Sequence, residues 1–419
     1  MAYASAKFVF AHVVVGDTAA HTQATWENDI TLAKDAGIDA FALNGGFPDS
    51  NVPTQFANAF AAAEALGSDF KLFFSFDYLG GGQPWPATGS PSVAATLNQY
   101  KSSPAYFNFN DAPFVSTFEG TSNTGDWAPG GPIRSAVGDI YFVPDWTSLG
   151  PDGIGAQLNN IQGAFSWDMW PNGATNKTDD TDKAWQAALP GKTFMMGVSP
   201  WFFHSASGGT DWVWRGDDLW HDRWMQTLDV NPDFVEIVTW NDFGESHYIG
   251  PIHDDSEIPN GSAIYDDPSP HESWRDFLPY YIATYKGSSF DISRDQMQYW
   301  YHTAPTAGGS TCGVVGNNAD QGQTELSPNS VVEDGIFFSA LLVSDAQVTV
   351  QVGSNPPTTY NGVAGINHWS QPFNGQTGVP TFAVVRNGAV VKSNTGAAIT
   401  ASTTLSNGCT NYNAWVGSF

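Results

Sequence analysis

The first two-thirds of the chain alternates short apolar runs with amphipathic segments of helical periodicity. Eight apolar runs have the length of buried strands: 7–16, 38–46, 70–77, 112–120, 139–146, 163–170, 193–202 and 234–240. Helices are predicted near 25–37, 53–66, 91–101, 151–161, 180–188, 218–229 and 273–287. Continuous apolar runs are typical of parallel strands buried on both faces. The pattern predicts an α/β fold, a (β/α)8 TIM barrel over residues 1–289, whose fourth unit (100–138) is the hardest to delimit.

From about residue 290 the sequence pattern changes to short runs of alternating apolar and polar residues, broken by Gly, Asn and Pro. This predicts an all-β module over 290–419, in the form of a β-sandwich. The chain's two cysteines, Cys312 and Cys409, both lie here and can close a long loop as a disulfide that ties the first and last strands. An oxidised pair suits a secreted protein, since reducing compartments keep thiols free.

The net charge of the chain argues against one class of binding partner. The 419 residues contain 15 Lys and Arg against 42 Asp and Glu, a net charge of −27, which repels phosphate backbones and argues against nucleic acid. No apolar run approaches the roughly 18 residues that a membrane helix needs. The start lacks the features of a signal peptide, so we interpret it as a mature secreted chain with an added Met1. We expect a soluble monomer.

Polar or aromatic residues follow nearly every predicted strand, and in a barrel those strand ends share one face. They are His12, Asn44, Asp77, Glu119, Asp145, Trp167, Asp168, Trp201, His204, Trp240, Asp242 and Glu245. Helix capping accounts for any single acid. It fits Asp77 poorly, because Tyr78, Leu79 and three glycines follow it. The 17 tryptophans suit either a large core or a cleft in which sugar rings stack on indoles.

The segment TWNDFGESHY (239–248) carries two acids, Asp242 and Glu245, just beyond the last strand. In an extended strand these positions point to opposite faces. They converge only if the strand breaks, and Gly244 permits a break with positive φ. Two carboxylates over a barrel mouth are what glycoside hydrolysis requires. Glu236 on the same strand is expected below the site, as a paired structural acid.

Other chemistries lack their motifs. The sequence has no GxSxG, HExxH, GxGxxG after a strand or GKS/T loop, and its nine histidines are scattered. We therefore expect no metal and no cofactor.

Three stretches carry a family resemblance: KFVFAHVVVGDTAAHTQATWENDITLAKDAGIDAFALNGG, KLFFSFDY and EIVTWNDFGESHYIGP. They resemble glycoside hydrolase family 71, the fungal endo-α-1,3-glucanases or mutanases. The resemblance implies a (β/α)8 barrel with a β-sandwich and hydrolysis of α-1,3-glucan with inversion. It places the essential acids at Asp77, Asp242 and Glu245. Phe243 stands where many relatives have Tyr.

On this basis we expect Glu245 to be the general acid and Asp242 the general base, with the reverse assignment open. Asp77 positions the water, holds a sugar hydroxyl or is itself the base. For inversion the two acids stand about 6.5–9.5 Å apart. The other residues expected to bind the sugar are His12, Asn44, Tyr78, Trp85, Trp167, Asp168, Trp201, His204, Trp240, Asn241, His247 and Tyr248.

Two alternatives stay open at this level. One is a non-catalytic protein that binds cell-wall glucan through the same aromatic cleft. The other is a barrel glycosidase that acts on a different linkage. Binding to insoluble glucans and a substrate panel separate these from the first interpretation.

Overall fold

The computed structural model describes residues 7–67, 69–206 and 209–419. Its first region contains ten strands, eight of which pair in parallel. They are β1 (Phe8–Val14), β2 (Ala40–Gly45), β3 (Lys71–Asp77), β4 (Asn108–Phe109), β5 (Ala112–Phe118), β6 (Tyr141–Phe142), β7 (Gly163–Ser166), β8 (Thr193–Val198), β9 (Trp212–Val213) and β10 (Phe234–Ile237). Strands β4 and β9 are two-residue strands outside the parallel set.

The parallel strands form one curled sheet in the order β6, β5, β3, β2, β1, β10, β8, β7. Asp145 makes isolated parallel bridges to Phe118, the end of β5, and to Phe165 in β7. Strand β6 is much shorter than the run 139–146 that predicted it. Pro144 contributes to this, since it has no N–H to donate to a ladder.

Helices follow most of these strands. They are α1 (Gln23–Asp35), α2 (Val52–Leu66), α3 (Val93–Tyr100), α4 (Pro132–Val137), α5 (Gly150–Ile154), α6 (Asp180–Ala187), α7 (Leu219–Val230), α8 (Ala263–Asp266) and α9 (Leu278–Tyr285). The single helix predicted over 151–161 is the short α5 and a 3₁₀ turn, because Gly and Pro are poor helix formers. None of the helices in the described ranges has the length and apolar character of a membrane span.

The second region consists mainly of antiparallel strands, with the short helix α10 (Pro328–Val331). Its strands are β11 (Gln296–Tyr301), β12 (Val315–Gly316), β13 (Gly335–Leu342), β14 (Ala346–Val352), β15 (Thr358–Gly362), β16 (Gly365–Pro372), β17 (Pro380–Arg386), β18 (Ala389–Thr395) and β19 (Trp415–Ser418). Two four-stranded sheets result, in the orders β16-β13-β11-β19 and β15-β14-β17-β18. Side chains from both sheets form one apolar cluster, with Tyr299 stacked on Phe382 at 3.7 Å between ring centroids.

The two regions share a core. Trp300, Phe337 and Val416 of the second region belong to the same buried cluster as the side chains around the parallel sheet. The Trp300 indole N–H donates to the carbonyl of Asp217 at 2.6 Å. A second connection is the parallel pair of β12 with β9.

The disulfide between Cys312 and Cys409 is present, as predicted. It differs from the prediction in what it joins. Cys312 precedes β12 and Cys409 precedes β19, so the bond links two loops rather than the first and last strands. Its position beside β12 fixes the segment that reaches the first region.

Candidate active site

A cavity of about 300 Å³ opens where the carboxyl ends of β1, β2, β3, β7 and β10 meet. Three acids, the imidazole of His12 and several aromatic rings line it. The lining residues are His12, Val14, Asn44, Asp77, Phe118, Trp167, Trp170, Phe202, Trp212, Trp214, Thr239, Asp242, Glu245 and Gln321. The structure therefore brings the three predicted acids into one cavity.

The turn that carries two of these acids begins earlier than expected. Strand β10 ends at Ile237, and residues Phe243–Glu245 form a 3₁₀ turn. Asp242 is the residue just before this turn and Glu245 is its last residue, and both side chains line the cavity. The positive φ of 58° falls on Ser246, so the prediction that Gly244 supplies it is wrong.

The turn is held to the neighbouring strand by Asn241. The amide N–H of Val14 donates to Asn241 Oδ1 at 2.8 Å, and Asn241 Nδ2 donates to the Val14 carbonyl at 2.9 Å. The predicted sugar contact by Asn241 is therefore corrected: its amide pairs with backbone and is buried. Asp242 follows directly, and its N–H donates to the hydroxyl of Thr239 at 2.9 Å.

The ring of His247 orients the Glu245 carboxyl through a hydrogen bond. Burial lowers the pKa of His247 to about 4, so the ring is neutral near pH 7. The Thr239 hydroxyl lies 3.0 Å from Nδ1, and Nε2 lies 2.8 Å from Glu245 Oε2. A neutral ring that accepts at Nδ1 and donates at Nε2 satisfies both contacts. The ring is fully buried, so it positions Glu245 rather than contacting the sugar as predicted.

The two acids have raised proton affinities. Burial, followed by the charge of Glu245, raises the pKa of Asp242 to about 6. Burial raises the pKa of Glu245 to about 7. One carboxylate oxygen of each, and a ring nitrogen of His247, lie within 4.8 Å of one another. One acid can hold a proton at a pH where the other has lost most of its own.

Asp77 at the end of β3 is fixed by the chain that follows it. Its Oδ1 accepts from the N–H groups of Leu79, at 2.7 Å, and Gly80, at 2.6 Å. A Cβ on Gly80 would lie 2.5 Å from Asp77 Oδ2, so only glycine fits there. The glycines after Asp77 thus allow the backbone to wrap closely around the carboxylate.

His12 and Asn44 line the cavity as predicted. His12 Nδ1 lies 2.7 Å from Glu236 Oε1, and both residues are buried. Glu236 is therefore a paired acid below the site, as the sequence indicated. This contact fixes the His12 ring and leaves Nε2 for the cavity.

Among the five aromatic residues expected to serve as platforms for sugar rings, Trp167 lines this cavity, with its ring centroid 4.9 Å from those of His12 and Phe118. Four others lie in the core, and their predicted role as platforms is wrong. They are Trp85, Trp201, Trp240 and Tyr248, each no more than 4 % exposed. The Trp201 N–H donates to the Tyr412 carbonyl, and the Trp85 N–H to that of Gly45.

Three further residues that were predicted to bind the sugar, His204, Tyr78 and Asp168, are not in the lining of this cavity. His204 stacks on Trp212 with ring centroids 4.3 Å apart. Burial lowers its pKa, but the contact with Asp211 and the charge of Glu245 outweigh this, so its pKa lies above the ordinary value. Tyr78 and Asp168 instead line a neighbouring cavity. Asp168 pairs there with Lys177 at 3.0 Å.

Sequence reasoning missed much of the aromatic wall. Trp170, Phe202, Trp212 and Trp214 line the cavity, and the rings of Trp170 and Trp214 stack 5.2 Å apart. The motif DWVW (211–214) could have indicated this, since alternate positions of a short strand share a face. Gln321, from the second region, had no such pattern.

Within the part of the chain that the structure describes, two groups of side chains have the compactness of a metal site. One is Asp242, Glu245 and His247, which is the acid pair with its histidine. The other is His21, Asp29 and His253, in which His253 Nε2 and Asp29 Oδ1 pair at 2.8 Å. Because histidine–carboxylate pairs already occur in both groups, neither requires an ion to explain its arrangement. The expected absence of a metal stays a prediction.

Comparison with known proteins gives the class of the molecule. Residues 5–419 match the model of the family described as Glycosyl hydrolase family 71. The chain belongs to this family, as its sequence motifs predicted.

Two curated relatives match over nearly the whole chain. The first is the glucan endo-1,3-alpha-glucosidase agn1 of Schizosaccharomyces pombe (strain 972 / ATCC 24843), 35 % identical over 98 % of this chain and 94 % of its own length. The second is the mutanase Pc12g07500 of Penicillium rubens, 34 % identical over 98 % of this chain and 88 % of its own. Among solved structures, a GH99 endo-alpha-mannosidase from Bacteroides thetaiotaomicron has a TM-score of 0.46 and 12 % identity, over 67 % of this chain and 97 % of that one.

Proposed function

We propose that this protein hydrolyses the α-1,3-glucosidic bonds of α-1,3-glucan. One observation carries the proposal: Asp77, Asp242 and Glu245 line one cavity, walled by tryptophans, in a chain of family 71. Two relatives named as an endo-1,3-alpha-glucosidase and a mutanase supply the linkage.

The proposed mechanism is inversion with Glu245 as general acid. Its pKa of about 7 keeps it protonated in weakly acidic solution, so it can protonate the leaving oxygen. The base then deprotonates a water that attacks the anomeric carbon from the opposite face. As the glycosidic bond breaks, the leaving sugar takes the proton of Glu245, and the base takes that of the water.

Two residues are candidates for the base, Asp242 and Asp77. Asp242 has the lower pKa of the turn pair, about 6. Its nearest oxygen lies within 4.8 Å of Glu245, less than the roughly 6.5–9.5 Å by which inverting acids are separated. Asp77 comes from a different strand and is fixed by two backbone amides. Loss of the acidic limb of the pH–activity profile in Asp242→Asn, but not in Asp77→Asn, would assign Asp242.

We also propose the finer architecture. The bridges of Asp145 to Phe118 and Phe165 support closure of the eight parallel strands into a complete (β/α)8 barrel. The apolar cluster common to the two antiparallel sheets supports a β-sandwich, with a boundary near residue 289. The disulfide supports secretion, and the charge of −27 a soluble monomer without nucleic acid.

The deciding experiment incubates the protein with insoluble α-1,3-glucan and follows the new reducing ends by proton NMR. We expect β-anomers before mutarotation, which means hydrolysis with inversion. If α-anomers appear first, the mechanism is retention and the acid assignment is wrong. If neither this glucan nor a panel of other glucans is cleaved, the proposed function fails.

A further inference from the structure

A second cavity of about 750 Å³ lies beside the first. The two share three lining residues: Phe118, Trp167 and Gln321. Phe118 ends β5 and Trp167 follows β7, whereas Gln321 comes from the second region. The cavities therefore adjoin along a junction made by two aromatic rings and one amide.

The wall of the second cavity combines apolar surface with hydroxyls, amides and acids, the mixture that sugar rings require. Leu79 is 60 % exposed there, one of the few large apolar side chains left open to solvent in the described ranges. The Tyr78 ring packs against Gly120, where φ is +96° and a Cβ would lie 2.7 Å from the ring. The polar lining residues are Glu119, Thr121, Ser122, Asn123, Asp145, Thr147, Ser148 and Asp168.

Asp145 is an unusual member of this wall. It is 1 % exposed, and its Oδ2 has no hydrogen-bond partner, while Oδ1 accepts from the N–H of Thr147 at 3.0 Å. Burial, followed by the charge of Glu119, raises its pKa well above the ordinary value. The Thr147 hydroxyl also donates to Oδ1, so Thr147 fixes the orientation of this carboxyl at the wall.

Gln321 is exposed at the tip of a loop whose flanks are fixed. Gly316 and Leu326 exchange backbone hydrogen bonds at 2.8 and 2.9 Å. The Gln323 side-chain oxygen accepts from the Trp214 indole of the first region at 2.8 Å. The disulfide at Cys312 holds the preceding segment. The loop is thus fixed where it leaves the sheets and presents one amide side chain over the junction.

We propose that the second cavity binds the part of the glucan chain on one side of the scissile bond, and that Gln321 holds the sugar at the junction. This rests on the proposed function, since the first cavity must hold the bond that is cut. It gives the second region a part in substrate binding through one loop.

The test measures kcat/KM for defined α-1,3-glucooligosaccharides of increasing length. In Gln321→Ala and Asn123→Ala we expect kcat/KM to fall about fivefold per lost hydrogen bond for long substrates, through KM. Substrates too short to reach the second cavity should lose less kcat/KM than long ones in both variants. Gln99→Ala, an exposed glutamine on α3, is the matched control and should change neither.

A bulky variant sharpens the test. Gln321→Trp narrows the junction, so long substrates should lose more kcat/KM than short ones and should give a changed product pattern. The inference is overturned if all three variants leave long substrates unaffected, or if short and long substrates lose equally. If the wild-type protein cleaves no α-1,3-oligosaccharide of any length, the proposed function is contradicted instead. The proposal that the second cavity binds glucan is then contradicted as well.

Discussion

The two regions bury their strands in different ways, and the difference shows why chemistry collects in only one of them. Strand β2 is buried at every position, whereas β14 alternates between buried and partly exposed residues. Parallel strands end together, so their last residues meet at one rim. Antiparallel strands end alternately at opposite edges, so their connecting loops are divided between the two ends of the sheet. The second region therefore contributes one loop to the site, not a set of acids.

Strand β13 departs from this contrast. It lies in the second region but is buried at all eight positions. One face packs in the cluster of the two antiparallel sheets, through Phe338, and the other in the core of the first region, through Phe337. A strand covered on both sides has a continuous apolar sequence, whatever the direction of its neighbours. Substitutions in each region can test how separate the two regions are.

The largest effect is expected at the rim of the first region. Glu245→Gln and Asp242→Asn should each lower kcat by about 10²–10⁴-fold, because Glu245 is the proposed acid and Asp242 is one of the two candidates for the base. Thermal unfolding at pH 4.5 should stay close to wild type, since both acids hold their protons there when folded. Glu27→Gln, an acid on the outer side of α1, is the control and should remain fully active. Near-normal turnover in either variant removes that residue from the mechanism.

The next effect concerns the shared core. Trp300→Ala should reduce the free energy of unfolding by about 3–5 kcal/mol, because a large buried side chain is lost between the regions. Guanidinium denaturation followed by tryptophan fluorescence and circular dichroism measures this. Trp369→Ala, a half-buried tryptophan within the second region, should cost less. Two separate transitions, with the first region unchanged in Trp300→Ala, would mean that the regions are independent.

Loss of the disulfide should affect stability and substrate length together. The bond joins cysteines 97 residues apart, and replacing both by serine should cost up to about 4–5 kcal/mol on the chain-entropy model. We also expect lower activity on long glucans than on short ones, because the loop of Gln321 loses an anchor. Denaturation and oligosaccharide kinetics measure the two effects. Equal loss of activity at every length would contradict a role for this loop.

A smaller effect is expected from pH. Activity should rise as the base loses its proton, near pH 6 if that base is Asp242, and fall as Glu245 loses its own near pH 7. The kcat/KM profile should therefore have a narrow maximum between these values. In Glu245→Gln any residual activity should lack the alkaline limb. An alkaline limb that persists would assign the acid to another residue.

The carboxyl group of Glu245 also makes the free energy of unfolding depend on pH, in a direction that its raised pKa determines. Glu245 holds its proton more tightly when folded, with a pKa of about 7 against an ordinary 4.5. Wild type should therefore lose stability as pH rises from about 4.5 to about 7, and Glu245→Gln should not lose this contribution. Denaturation at pH 4.5 and pH 8 should show the variant gaining on wild type at the higher pH. The opposite trend would mean that the folded protein prefers the charged carboxylate.

The features best predicted from the sequence are those that depend on local pattern and on topology. Asp77 and the segment of Asp242 end apolar runs, and the strand ends of a parallel sheet meet wherever their helices lie. The conformation of the turn could not be predicted, because it depends on Val14, more than 220 residues away in the chain.

The aromatic residues show the same limit. Trp201 and Trp212 both lie in the segment between β8 and α7. Trp201 is buried in the core, whereas Trp212 lines the cavity. What separates them is a contact with Tyr412, 211 positions along the chain, to which the Trp201 N–H donates. Gln321 had no local pattern at all, since its place over the cavity comes from the fold of a different region.

The two hydrogen bonds between the Asn241 side chain and the backbone of Val14 reduce the entropy that the site loses when it binds a substrate. A flexible turn would have to order its two acids each time a substrate arrives, and that loss of entropy would weaken binding. Here the turn is also closed on its far side, where the N–H of Gly250 donates to the carbonyl of Trp240 at 2.7 Å. The ordering is completed once, when the chain folds. The acids then meet the developing charge from fixed positions and need little reorganisation at each turnover.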